Sequence, residues 1–401
     1  MRWLTGALAA AVGFTLAVVG PVGEPVRTVP AQAVDPASGS ESAEPDSELR
    51  QAVLAALPEP VDPSVTRVTV RRTDPAGWAF GTAVRSAPPE PESYPDGWLW
   101  LARRQASQWQ VAVEGDPGYA ALATAAPLLT VPERLSLAGP RQEQKAGADR
   151  RTGMRLPYAR GQAWMLTGGP HPMNGSARSS IDLSGGDGRV LAARDGIAYT
   201  MCESGTGWVR VVHDDGFATD YYHLEENIKV DGTPVREGDY LGRIGWDVSC
   251  GGQVTGPHLH FSLRRDGKYV PIEGYVFGRW TIHAGDGPYQ GFARRGSIQV
   301  PVGGALVNHG ALAPNEAVVD TDGGGVLHRR SGPGTDHAVI GTVADGEAVK
   351  IRCAARGTTH TGRDGHRTNV WYRLADSGWV SGAFLWTGTA DPVGGWCPSE
   401  S

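Results

Sequence analysis

Lysine is nearly absent from this chain: of 37 basic residues only Lys145, Lys229, Lys268 and Lys350 are lysine, and arginine supplies the rest. We read that bias as a property of a GC-rich genome. Basic charge is not in excess either, since 43 acidic residues give a net charge of −6. A broad basic footprint for nucleic acid is therefore excluded. Long apolar runs are missing beyond the first twenty or so residues, which excludes a protein threaded repeatedly through a membrane. Internal repeats are missing, which excludes a solenoid. Cysteine is scarce, at four residues, and no C-x2-C pair occurs among them. A zinc–thiolate site is thereby disfavoured. Glycine (56) and proline (29) are abundant, which favours turn-rich β structure over long helices.

The one apolar run, MRWLTGALAAAVGFTLAVVGPVG, follows a single arginine and is followed by Ala31-Gln32-Ala33, a small-x-small cleavage pattern. We expect a signal peptide over 1–33, with an uncleaved anchor as the alternative. Either exports the remainder. Four cysteines in an exported chain suggest two disulfides. Of the three connectivities, the domain boundaries favour Cys202–Cys250 and Cys353–Cys397.

Residues 34–46 are Ser, Pro and acidic residues and read as a solvated linker. SELRQAVLAAL then reads as a short helix capped by Ser47. Alternating apolar segments at 66–73, 77–85, 97–105 and 107–115 read as half-buried strands, and 119–129 as a helix. Residues 47–135 thus form a small α+β domain. Residues 136–152 are polar and suit a linker and processing region. From 153 to 300 short β-runs alternate with glycine turns, which predicts an all-β domain of antiparallel strands. After a linker at 301–316, short strands resume over 317–401. The overall class is mostly β.

The chemistry concentrates in the middle domain. TGPHLHFSL places His258 and His260 two residues apart, on one face of a strand. Upstream stand His171 in GGPHPMNG, Asp182 in SSIDLSGG and His223 in YYHL. Zinc takes imidazole nitrogen and carboxylate oxygen, and a catalytic zinc keeps three protein ligands with one position open. His, Asp and His from separate segments supply such a set, with two histidines left to move protons.

In SSIDLS, AARDGIAY, HDDGFATDYYHL, VREGDYLGRIG and TGPHLHFSL, in that order, residues 153–271 resemble the lysostaphin-type zinc endopeptidases, and within them the β-lytic and staphylolytic proteases. That resemblance implies zinc held by His171, Asp182 and His260, with His223 and His258 as catalytic histidines. It further implies a secreted, wall-associated enzyme that cuts peptide stems or cross-bridges of peptidoglycan, with a preference for glycyl bonds. The ten residues between His171 and Asp182 match the longer spacing of the β-lytic branch. Residues 317–388, through RRSGPGTDHAVIGTVADGEAV and GWVSGAFL, resemble a bacterial SH3-like β-barrel, a type of module that often targets cell wall. By the same resemblance residues 47–135 are expected to be a propeptide, the rival being a retained binding module. A monomer with peptidoglycan as its partner is expected, with no nucleic acid and no lasting membrane association. The alternative function is a catalytically silent wall-binding or regulatory protein.

Overall fold

The computed structural model describes residues 46–91, 93–139, 150–362 and 365–398. The apolar leader, nearly all of the acidic linker and most of the expected processing region lie outside them. Among the described residues no helix is long and apolar enough to cross a membrane.

The N-terminal domain opens with helix Ser47–Ala56, whose cap is Asp46 and not Ser47, with the Asp46 carboxylate accepting from Glu48 N at 3.2 Å. Four strands follow in antiparallel order: Thr66–Asp74, Trp78–Arg85, Asp96–Gln105 and Gln108–Val113. The two inner strands are not half-buried, as their alternation suggested. They are buried on both faces over Trp78–Val84 and Asp96–Ala102. Trp98, Trp100 and Ala102 pack with Leu49 and Val53 of the helix. Leu99 and Leu101 point the other way, with Phe80, into a second core. The helix expected over 119–129 ends at Ala125, because Pro127 forbids its continuation. A second helix, Val131–Leu137, starts at once behind a reciprocal Thr130–Glu133 capping box.

The second core is shared with the middle domain. Phe80, Leu99, Leu101, Tyr119 and Leu122 meet Ile197, Tyr199, Met201, Trp208 and Tyr222. At its centre Arg210 is fully buried. Its guanidinium donates to Asp220 at 2.7 and 3.0 Å, to Glu114 at 2.6 Å and to the Gly97 carbonyl at 3.0 Å. Burial opposes the Asp220 charge, but Arg210 overrides it and holds that carboxyl below the usual range. Glu114 and Gly97 come from the N-terminal domain, so this ion pair crosses the interface. Arg210→Met removes the buried cation shared by two carboxylates, leaving Asp220 only the Trp208 and Tyr269 donors and Glu114 only Arg264 at 3.5 Å. We expect it to destabilise the protein by about 3–5 kcal/mol, read as a lower urea midpoint by Trp fluorescence. A midpoint unchanged from wild type contradicts this role of Arg210.

The middle domain is two packed sheets. The main path of the larger runs Asp231–Val235, Gly196–Thr200, Gly207–Val212, Phe217–Glu225, Leu259–Arg265, Ser180–Gly185, Ala163–His171 and Ala305–Val307. Its last strand falls inside the expected linker 301–316. The smaller sheet orders Ile298–Pro301, Gly291–Arg295, Trp280–Ala284, Val276–Phe277 and Arg151–Met154. Leu166, Ile181, Val209, Tyr221, Phe261, Phe277 and Ile282 fill the layer between them. The C-terminal domain is a seven-stranded sheet closed on a core of Val319, Leu327, Ile351, Tyr372 and Val380. Both disulfides favoured by the sequence are present, Cys202–Cys250 and Cys353–Cys397.

Candidate metal centre

Strand Leu259–Arg265 lies between its two partners with His260 opposite Asp182 on one side and opposite Tyr222 on the other. Directly paired residues of antiparallel strands project to the same face. Asp182 and His260 therefore meet by register alone, with His260 Nδ1 3.2 Å from Asp182 Oδ1. His171 ends strand Ala163–His171 after two register shifts against Ser180–Gly185. Those shifts bring its Nε2 to 3.4 Å from the same Asp182 oxygen and 3.1 Å from His260 Nδ1. The three residues could hold a metal ion: one ligand atom from each lies within 4.8 Å of the others. Asp182 Oδ1 is buried and accepts no hydrogen bond, as suits an oxygen reserved for a cation. Burial opposes its charge, but His171 and His260 hold the Asp182 carboxyl well below the usual range. Burial pushes His260 down to about 4, against the pull of Asp182.

His258 stands just before its strand, and its Nε2 is 3.5 Å from Asp182 Oδ1. His223 comes from strand Phe217–Glu225, where simple alternation would turn it away from Tyr222 and His260. The strand slips register there, Gly207 pairing with Leu224 and Trp208 with Tyr222, and His223 takes φ 65°. This bulge turns the ring onto the same face, with its centroid 4.9 Å from that of His258. A left-handed non-glycine residue costs about 1–2 kcal/mol, and such strain concentrates at working sites.

Backbone carbonyls fix the tautomers. His171 Nδ1 donates to Gly169 O (2.7 Å), His223 Nδ1 to Asp247 O (2.9 Å) and His258 Nδ1 to Gly256 O (2.8 Å). Each neutral ring then presents a lone pair at Nε2. The Nε2 atoms of His223 and His258 are buried without a partner. Burial, then His258 and His260, push His223 down to about 3.

A glycine makes the room. Gly168 pairs with Asp182, and a Cβ there would stand 2.4 Å from Asp182 Oδ2. Gly168→Ala displaces the carboxylate. We expect it to weaken metal binding by about 10–100-fold while the fold persists, measured by metal titration with circular dichroism as control.

The residues around these five are mostly structural. Trp164 is core, stacked on Tyr158 at 4.6 Å, whereas Trp246 is 50% exposed beside the His223 loop. Tyr221 and Tyr222 are both buried, and the Tyr222 hydroxyl ties down Gly251 O at 2.5 Å. His213 is structural, bonded to Asp195 O at 2.7 Å and Thr219 Oγ1 at 3.1 Å. Two tyrosines at the centre were not foreseen. Tyr289 stacks on His171 with centroids 4.0 Å apart, and Tyr94, from the N-terminal domain, stacks on His260 at 4.2 Å. Their hydroxyls meet at 2.9 Å. The positive φ of Tyr289 (62°) is invisible in sequence, and Tyr94 sits in an ordinary Pro-rich loop.

Comparison with known proteins adds to this geometry. Residues 176–272 match the description of peptidase family M23, and residues 327–385 that of a bacterial SH3 domain. His171 lies five residues before the first of these matches, so its place here rests on geometry. The chain is 36% identical over 157 residues to Protease LasA of Pseudomonas aeruginosa, covering 35% of this chain and 36% of that one. It therefore spans about a third of that relative's length. It is 30% identical over 149 residues to the Beta-lytic metalloendopeptidase of Lysobacter enzymogenes, covering 34% of this chain and 82% of that one. Among solved structures, the M23 metalloprotease pseudoalterin is similar at 29% identity, with 38% of this chain and 97% of that chain covered and a TM-score of 0.36.

Proposed function

The chain belongs to peptidase family M23, and on that premise we propose a secreted zinc endopeptidase that hydrolyses peptide bonds of bacterial peptidoglycan, with glycyl bonds preferred. The observation that carries this reading is the convergence of His171, His258 and His260 on one partnerless oxygen of Asp182. His171, Asp182 and His260 hold the metal, whose donor set of two imidazoles and a carboxylate fits zinc. When bound, zinc supplies Lewis acidity toward the scissile carbonyl and toward water.

His258 and His223 carry the protons. With Nδ1 committed to Gly256 O or Asp247 O, each accepts a proton only at Nε2. His258 takes the proton of the attacking water. The imidazolium so formed is a donor at both nitrogens and can pass the proton to the leaving amine. His223, kept neutral by burial at rest, flanks the developing oxyanion and can exchange roles with His258. The C-terminal domain holds the enzyme on the wall.

The N-terminal domain is a propeptide that closes the cleft. Ala87 N donates to Cys250 O at 3.2 Å and Gly252 N to Ala87 O at 3.3 Å, so the segment leading to Tyr94 is hydrogen-bonded along the loop that feeds His258. The test is chelation of the activated enzyme. Release of amino groups from peptidoglycan should stop with a zinc chelator and return with zinc, and the new N-terminal residue identifies the bond.

A further inference from the structure

Several arginines of this protein face carboxylates. Arg72 pairs with Glu133 at 2.7 Å, Arg194 with Asp215 at 2.9 Å and Arg329 with Asp376 at 3.2 Å. Arg160, Arg279 and Arg295 do not. Among the described residues none of the three lies within ion-pair distance of a carboxylate.

The three nevertheless converge. Gly161 N donates to Asn308 O at 2.8 Å, which sets Arg160 beside the turn at His309 and Gly310. A Cβ on Gly310 would stand 3.5 Å from Arg160 Nε. The Trp280 ring forms the floor, with His309 at 6.1 Å between centroids and the Arg295 guanidinium over it at 5.8 Å. Arg279 precedes Trp280 and donates weakly, at 3.4 Å, to Gly346 O of the SH3 domain. The Nε atoms of Arg279 and Arg295 are buried without partners. Burial, then Arg295, Arg279 and Arg160, push His309 down to about 4. Carboxylates lie near but unpaired: Glu316 acts on Arg279 from a distance while its Oε2 accepts from Ala313 N at 3.3 Å, and Arg295 lines a cavity with Asp320, Asp322 and Asp345 beyond ion-pair distance.

Three guanidinium forks around an aromatic floor, without a matched carboxylate, are the arrangement that binds a multiply charged oxyanion. Forked N–H donors fit phosphate oxygens, and three cations favour phosphate over a lone carboxylate. We propose that Arg160, Arg279 and Arg295, on the Trp280–His309 floor, form a binding site for phosphate groups of an anionic phosphodiester polymer of the cell wall. The site belongs to the smaller sheet and the SH3 junction, and shares no residue with the metal centre. The polymer's identity rests on the wall-acting reading; the phosphate chemistry does not. Bound there, the polymer would hold the peptidase and SH3 domains against one surface.

The test is calorimetric titration of the full chain at constant ionic strength, with inorganic phosphate, with poly(glycerol phosphate) and with chloride. Phosphate should bind and the polymer should bind more tightly, through its repeated groups. The Arg279→Gln/Arg295→Gln double variant should lose about tenfold or more of both affinities, and Arg279→Lys much less. Melting in chloride checks that each variant folds. No heat with phosphate, or equal affinity in the double variant, overturns the site. Phosphate binding without polymer binding overturns the assignment to wall polymer. Neither readout needs hydrolysis, so failure of the peptidase reading would be seen separately.

Discussion

Removing residues 46–139 is expected to raise peptide hydrolysis by about a hundredfold, since closure favoured by roughly 3 kcal/mol leaves the cleft open about one time in a hundred. The structural cause is direct. Tyr94 covers His260 at a ring distance of 4.2 Å, and its hydroxyl bonds that of Tyr289, which itself covers His171. A substrate carbonyl has no approach to Asp182 and its histidines until Tyr94 leaves. The segment 87–95 also carries Pro88, Pro89, Pro91 and Pro95, which fix its backbone and make it a poor substrate for the site it fills. Displacement is opposed by the whole interface: Trp208, Tyr222, Phe80 and Leu99 are all at most 0% exposed, and Arg210 spans both domains. On the propeptide reading, activation is expected to require destruction of the N-terminal domain rather than a single nick. Activity on a quenched peptide, before and after limited proteolysis, measures the effect. In the intact chain Tyr94→Gly should recover about a tenth of it. An intact chain as active as the trimmed one would remove the propeptide reading.

His260→Ala is expected to abolish metal retention and to lower activity by about 10³-fold or more, because it deletes one of the three proposed ligands. His223→Ala should behave differently. On the proposed roles it removes a proton carrier outside the ligand set, so metal content is expected to stay near one per chain while turnover falls by about 10²–10⁴-fold. Metal analysis of the two purified variants beside their rates separates the roles. Equal metal loss in both would move His223 into the ligand set.

The sequence was informative where periodicity and motif coincide. The four N-terminal strands, the β-rich middle and both disulfides could be read from alternation, glycine turns and cysteine placement. The two-residue period places His258 and His260 on one face, whereas the meeting of His260 with Asp182 was implied by the resemblance and depends on the register of two strands distant in sequence. Other features depend on what no local pattern encodes. His223 faces the site only because a bulge reverses it, and a bulge is one residue of slippage between distant strands. Trp98 and Leu99 look like one half-buried strand until a second domain covers the outer face. Tyr94 and Tyr289 reach the centre from 195 residues apart along the chain. The apolar run drew the helix to 129, past Ala125, and the second helix behind Thr130 was not read from the sequence.

The most direct measurement of the central claim is the release of amino groups from purified peptidoglycan by the protein freed of its N-terminal domain. It should be run with zinc, after chelation, and after zinc is restored. We expect release, its loss and its return, with zinc bound near one equivalent and absent from the His260→Ala variant. A folded, zinc-loaded protein that releases nothing, or one whose release survives full removal of the metal, would contradict the account.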